Sequence, residues 1–206
     1  MDDLSGTKSL IFDAFVEMTS NLGYENVTIR DIAQQVGINP ATIYYHYSTK
    51  ADILESAYSY HKKHQYNNRL SVAEMKSRIA VLDGTSLVRS FMYTFECDDL
   101  QHYMRMVYIT KIIYMRIFQD NIASSTFIDS NRDNADYVIS IMQHGVEIGR
   151  VDPGFDLQTF ADVMIGAFEV MGIRAFVNPE YIVGQLDQES RIVAMLGRLV
   201  DSALIR

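Results

Sequence analysis

The chain has little of what marks most function classes. Cys97 is the only cysteine in 206 residues. That excludes an intramolecular disulfide and points to a reducing compartment. Three prolines are too few to break up long helices. No run of about 20 apolar residues is available to span a bilayer, and no basic-then-apolar leader opens the sequence. A cytoplasmic protein with no membrane partner is expected. A basic excess is also missing. Residues 1–70 hold six Lys or Arg against eight Asp or Glu, and the whole chain carries a formal charge of −8. Such a balance opposes an easy assignment to DNA, because phosphate neutralisation drives much of DNA affinity.

Enzyme signatures are equally scarce. Ser5-Gly6-Thr7-Lys8 fits a serine-x-x-lysine pattern, but the companion motifs of that enzyme class are absent. No glycine loop is built to cradle phosphates. No catalytic residues, cofactor or enzymatic activity are therefore expected. His61 and His64 stand three residues apart, but a metal would need ligands from another element. Lys62 and Lys63 between them disfavour a cation. The pair reads as a solvated helix face, with no metal site.

Residues 28–54 carry the specific signal. Thr28 is a good N-cap, and Asp31 completes a capping box. Ile29, Ile32, Ala33 and Val36 recur at helical spacing. Gly37 follows, where a helix ends through a left-handed residue that glycine adopts without steric cost. Asn39 then caps a second short helix with Pro40 at its first position. Ile43 and Tyr47 face the core. Asn39, Ala41, Thr42, Tyr44, Tyr45 and His46 are left on the outer face and flanks. Thr49 with Asp52 is a second capping box, placing Lys50 in the first turn of the next helix. Two short helices around a tight turn, followed by a third, form a helix-turn-helix that presents its second helix to DNA.

These elements resemble the DNA-binding domain of the TetR family of bacterial transcriptional regulators. The match rests on Thr28, Ile32-Ala33, Gly37-Ile38, Tyr44-Tyr45-His46-Tyr47 and Lys50, within residues 8 to 58. Gly145-Val146-Glu147-Ile148-Gly149-Arg150 with Asp152 is similar to a common family stretch before the dimer helices. Tyr47 departs from the usual Phe, and Met1-Asp2-Asp3 replaces a basic arm. The resemblance implies an all-α fold. An N-terminal helix-turn-helix domain would occupy residues 1–50, linked by a helix over about 49–69 to an effector-binding and dimerisation domain over 70–206. It implies a ligand-responsive regulator, a repressor on a palindromic double-stranded DNA operator. Tyr44, His46 and Lys50 would bind phosphates, Ala41 and Thr42 would read base edges, and Thr28, Arg30, Asn39 and Tyr45 would complete the DNA-binding set. The rival reading is a helical ligand-binding dimer that has lost sequence-specific DNA binding.

Beyond residue 70, helices are expected near 71–82, 85–96, 99–120, 126–149, 156–176 and 187–204, after a first helix at about 5–22. Asp98-Asp99 reads as an N-cap. The helix at 99–120 is apolar nearly all round, which marks a central helix. The family's effector pocket implies a small-molecule partner, with Tyr58, His61, Met92, Tyr93, His102, Tyr103, Met106 and Tyr114 as candidate contacts. The cavity is expected between the helices starting near 49, 85, 99 and 126. The last two helices look too apolar for a monomer surface. The family's four-helix bundle implies a homodimer through Phe160, Met164, Phe168, Met171, Ile192, Leu196, Leu199 and Val200. Gly166, Gly172 and Gly197 in these helices would let backbones approach closely.

Overall fold

A computed structural model describes residues 4–67, 69–92, 99–177 and 180–205. Among the described residues ten α-helices follow one another: α1 Gly6–Leu22, α2 Ile29–Val36, α3 Pro40–His46, α4 Lys50–His64, α5 Val72–Ile79, α6 Gly84–Met92, α7 Leu100–Arg116, α8 Asn121–Glu147, α9 Leu157–Val177 and α10 Glu180–Ala203. A short 3-10 turn, Tyr24–Asn26, precedes α2. The all-α expectation holds. Helix α8 starts five residues earlier than the 126 read from sequence, and α10 seven earlier than 187. Asp99 caps α7 as expected, accepting from the N–H groups of Gln101 and His102. Asp98 lies outside the described residues.

By packing, the chain divides into two compact units, residues 1–66 with 97–128 and residues 67–96 with 129–206. In the first, α1 packs on α2, α4 and α7. Ile11, Phe12, Phe15, Ile32, Ile43, Ile53, Ile109 and Ile112 fill its core. The expectation of a central α7 needs correction. Its Ile109, Ile112 and Ile113 are buried, but Leu100 is exposed, and Phe118 just beyond its end is 93% exposed. One stripe of α7 seals against α1 and α4, and the rest of its apolar surface is not needed for that seal. An ion pair fixes the α1–α7 contact. Arg105 donates from Nε and Nη2 to the two oxygens of Asp13, the bidentate arrangement that suits a guanidinium.

In the second unit α6 crosses α10 closely, and α9 packs on α10. Gly197 sits at that crossing. A Cβ there would fall 2.6 Å from the Thr85 Cα, so only glycine fits. The close backbone approach expected at Gly197 is thus made within the chain, against α6. Gly84 N–H donates to Asp201 Oδ1 at 2.6 Å across the same crossing.

Much of the expected dimer set is buried within the chain. Phe160, Met164, Leu196 and Val200 are buried in this unit's own core, and Met171 is buried as well. A side chain already buried inside one chain has no surface left to bury against a second. Phe168 and Ile192 are partly buried against the same core. Among the described residues, the large apolar side chains left exposed are Val163, Val170, Ile173 and Val177 on α9, with Met195 and Leu199 on α10. Among the described residues no helix is long and apolar enough to cross a membrane.

Candidate DNA-reading surface

The reading head is assembled by local hydrogen bonds. Thr28 N–H donates to Asp31 Oδ2 at 2.8 Å, and Asp31 N–H returns a bond to Thr28 Oγ1 at 3.2 Å. The Thr28 hydroxyl, donating to the same Asp31 Oδ2 at 2.6 Å, and then the Thr28 N–H stabilise the charged form and hold the Asp31 carboxyl below its usual range. Gly37 ends α2 at φ 76°, in the left-handed region. Asn39 Oδ1 accepts from Ala41 N–H at 2.9 Å and opens α3, with Pro40 at its first position. Thr49 and Asp52 form the second capping box at the start of α4.

Burial sorts the α3 side chains into two faces. Ile43 and Tyr47 are in the core. Tyr45 is 87% exposed and Tyr44 56%. Asn39 and Ala41 are exposed beside them, and Thr42 and His46 are half-buried at the flanks. The Tyr45 and His46 rings meet edge-on at 5.1 Å. Thr28 and Arg30 are exposed on α2. One short helix thus offers two phenols, an imidazole, a hydroxyl and an amide around small Ala41. Such a set can bond phosphate oxygens and touch base edges.

Lys50 behaves differently. Its ammonium turns back toward the chain and donates to the carbonyl oxygens of Tyr24 and Val27, at 2.8 and 2.9 Å. It also lies 3.9 Å from the Tyr24 ring centroid. Sequence reasoning missed Tyr24 here, and nothing local flags it. Its partners are a lysine 26 residues later and Arg116 of α7, whose guanidinium is 4.4 Å from the same ring.

The effector candidates scatter. Tyr58 is buried and donates to Asp120 Oδ2 at 3.1 Å. Burial first, then the Asp120 charge, raises its phenol well above the ordinary value. His61 does not lie on a solvated face. It is 8% exposed, and burial pushes its pKa down to about 4. His64 is half-buried, its ring 4.4 Å from that of Tyr60. The Tyr60 hydroxyl and His102 Nδ1 are 2.6 Å apart. Tyr114 meets Phe127 edge-on at 5.7 Å. Tyr103 and Met106 are half-buried on α7. Met92 ends α6, and Tyr93 lies outside the described residues. Among the described residues no group of three His, Cys, Asp or Glu side chains is placed to hold a metal.

A capped helix-turn-helix with an exposed, aromatic and polar second helix is the arrangement by which such a motif presents a helix to DNA. Residues 11–57 match the model of the bacterial regulatory proteins of the tetR family. The chain is 29% identical over 103 residues to the biofilm operon icaADBC HTH-type negative transcriptional regulator IcaR of Staphylococcus aureus (strain Newman). That match covers 48% of this chain and 50% of IcaR, so it spans about half the relative's length. The fatty acid metabolism regulator protein of Bacillus subtilis (strain 168) is 24% identical over 160 residues, covering 77% of this chain and 78% of its own. Among solved structures, the TetR family transcriptional regulator PfmR from Thermus thermophilus superposes with a TM-score of 0.62 at 18% identity, covering 98% of this chain and 99% of its own. The transcriptional regulator FadR from Bacillus subtilis, in complex with stearoyl-CoA, gives 0.59 at 19%, covering 93% and 97%. At these identities the structural likeness is one of fold.

Proposed function

We propose that the chain is a cytoplasmic transcriptional repressor. It binds a palindromic double-stranded DNA operator as a homodimer and releases it when a small molecule binds. The observation that carries this reading is the outward face of α3, where Tyr44 and Tyr45 stand exposed around Ala41 while Ile43 and Tyr47 lock the helix to its core. Tyr44 and His46 donate to phosphate oxygens and fix the register. Ala41 and Thr42 meet base edges, their methyl groups suiting the thymine methyl. Thr28, Arg30, Asn39 and Tyr45 extend the contact. The acidic balance of the domain is overcome locally. Arg30 lies in the first turn of α2, whose N-terminus adds partial positive charge toward phosphate.

The effector acts from residues 70–206 through α4 and α7. FadR was solved with stearoyl-CoA. An effector with an apolar body likewise suits the Met and Tyr side chains at Tyr103, Met106 and Tyr114, with His102 as a polar contact. A ligand shifts the reader only by its unequal affinity for the two states, commonly ~1–3 kcal/mol of coupling.

One observation favours a second reading, a ligand-binding dimer without sequence-specific DNA binding: Lys50, a cation beside the reading head, is turned inward. The test is selection of bound fragments from genomic DNA, then titration of the enriched duplex and a random duplex at two salt concentrations. The repressor reading expects enrichment of a palindromic site and a steep salt dependence. No enrichment from folded protein would leave the second reading.

A further inference from the structure

The contacts of Lys50 are long-range. Its two carbonyl partners are 26 and 23 residues earlier in the chain, in the segment that leads into α2. An ammonium has three N–H donors and no acceptor, so two of the three are already engaged. The Tyr24 ring lies against this ammonium and also against the Arg116 guanidinium. Arg116 is held in turn by Asp120, Nε to Oδ2 at 3.3 Å, with Glu25 at 3.6 Å. Asp120 accepts from the Tyr58 hydroxyl and from the N–H groups of Ile122 and Ala123, in the first turn of α8. The result is a continuous chain of charged and aromatic groups from the α7–α8 corner to the residue before the Thr28 cap.

We infer that Lys50 is a positioning residue of the reading head rather than a phosphate ligand. Tyr24, clasped by Lys50 and Arg116, ties the entry of α2 to the α7–α8 corner. This rests on the DNA-reading function proposed above. Reaching a phosphate would require Lys50 to abandon two charge-assisted hydrogen bonds and a ring contact, leaving both carbonyls without that donor. Keeping them fixes Tyr24 to Val27, and Thr28 follows directly. The angle at which α2 leaves the core, and with it the aim of α3, is set there. A shift of Arg116 is felt at the same ring.

Two measurements test this. In the first, the selected duplex is titrated at several salt concentrations. Lys50→Met and Tyr24→Leu are each expected to lower affinity about tenfold at every salt, with the slope of log K against log salt unchanged. The double variant should bind no more weakly than the worse single one. Tyr24→Phe, which keeps ring and carbonyl, should match the native chain. In the second, without DNA, backbone amide exchange over residues 24–36 should quicken about tenfold in Lys50→Met, Tyr24→Leu and Arg116→Met. Thermal melts confirm that each variant is folded at the assay temperature, and Lys50→Gln replaces Lys50→Met if the latter is not. A slope lowered by about one in Lys50→Met, with exchange unchanged, makes Lys50 a phosphate ligand and overturns the inference. If the native chain binds no duplex, the repressor reading fails, while the exchange measurement still decides the role of Lys50.

Discussion

Tyr44 and His61 are polar rings with opposite fates. Tyr44 stands in solvent, so losing its hydroxyl costs the fold nothing. Tyr44→Phe is expected to leave the melting temperature unchanged and to weaken binding to all duplexes by about 1 kcal/mol, the usual worth of one hydrogen bond. Thr42→Val should instead alter preference at one operator position, read by titrating single-base variants of the selected site. His61 is buried, and burial pushes its pKa down to about 4 from 6.5. Between those values the unfolded chain takes up a proton that the folded chain refuses. Stability is therefore full above pH 6.5 and falls as pH drops toward 4, by about 3 kcal/mol for a shift of this size. Urea melts at pH 7, 5.5 and 4.5 check this: His61→Leu should flatten that part of the pH dependence. The reading of His61 as solvated failed because two lysines follow it. They turn outward while the preceding Tyr58, on the same face, turns in.

At the scale of elements, the sequence was most legible where the forces are local. The caps of α2, α3 and α4 need only Thr28, Asp31, Asn39, Thr49 and Asp52 close in the chain, and each forms the bond its spacing implies. The outward face of α3 follows from the same short range, since Ile43 and Tyr47 must be buried. Where partners are distant, the reading lost its grip. Lys50 belongs to the motif, but the carbonyls of Tyr24 and Val27 carry no side-chain signature. Helix α9 is apolar on every side, so periodicity cannot say which stripe is core. Packing chose Phe160, Met164 and Met171 and left Val163, Val170 and Ile173 outside. Gly197 was marked as a close-approach site, but its partner is Thr85 of α6. Gly197→Val should therefore destabilise the folded chain by about 1–3 kcal/mol or more through overpacking, lowering the melting temperature even at high dilution. A glycine lying between subunits would show its effect mainly through assembly.

For the molecule as a whole, the outer stripe of α9 matters most. Among the described residues, Val163, Val170, Ile173 and Val177, with Met195 and Leu199 of α10, are large apolar side chains that these two helices leave exposed. We take this stripe as the dimer face, in place of the buried set. Val170→Asp should give a folded monomer, because the substituted side chain already stands in water. Leu196→Asp should fail to fold, because Leu196 is in the core. Sedimentation and circular dichroism on both variants check the pair, and a Val170→Asp protein that stays dimeric would clear this stripe of the role. In the homodimer proposed above, the same exposed stripe makes the protein's own concentration a thermodynamic variable. A folded state that associates while the unfolded chain does not is drawn forward by mass action. Dilution therefore lowers the melting temperature of the native chain, and the melting temperature of Val170→Asp does not change with dilution.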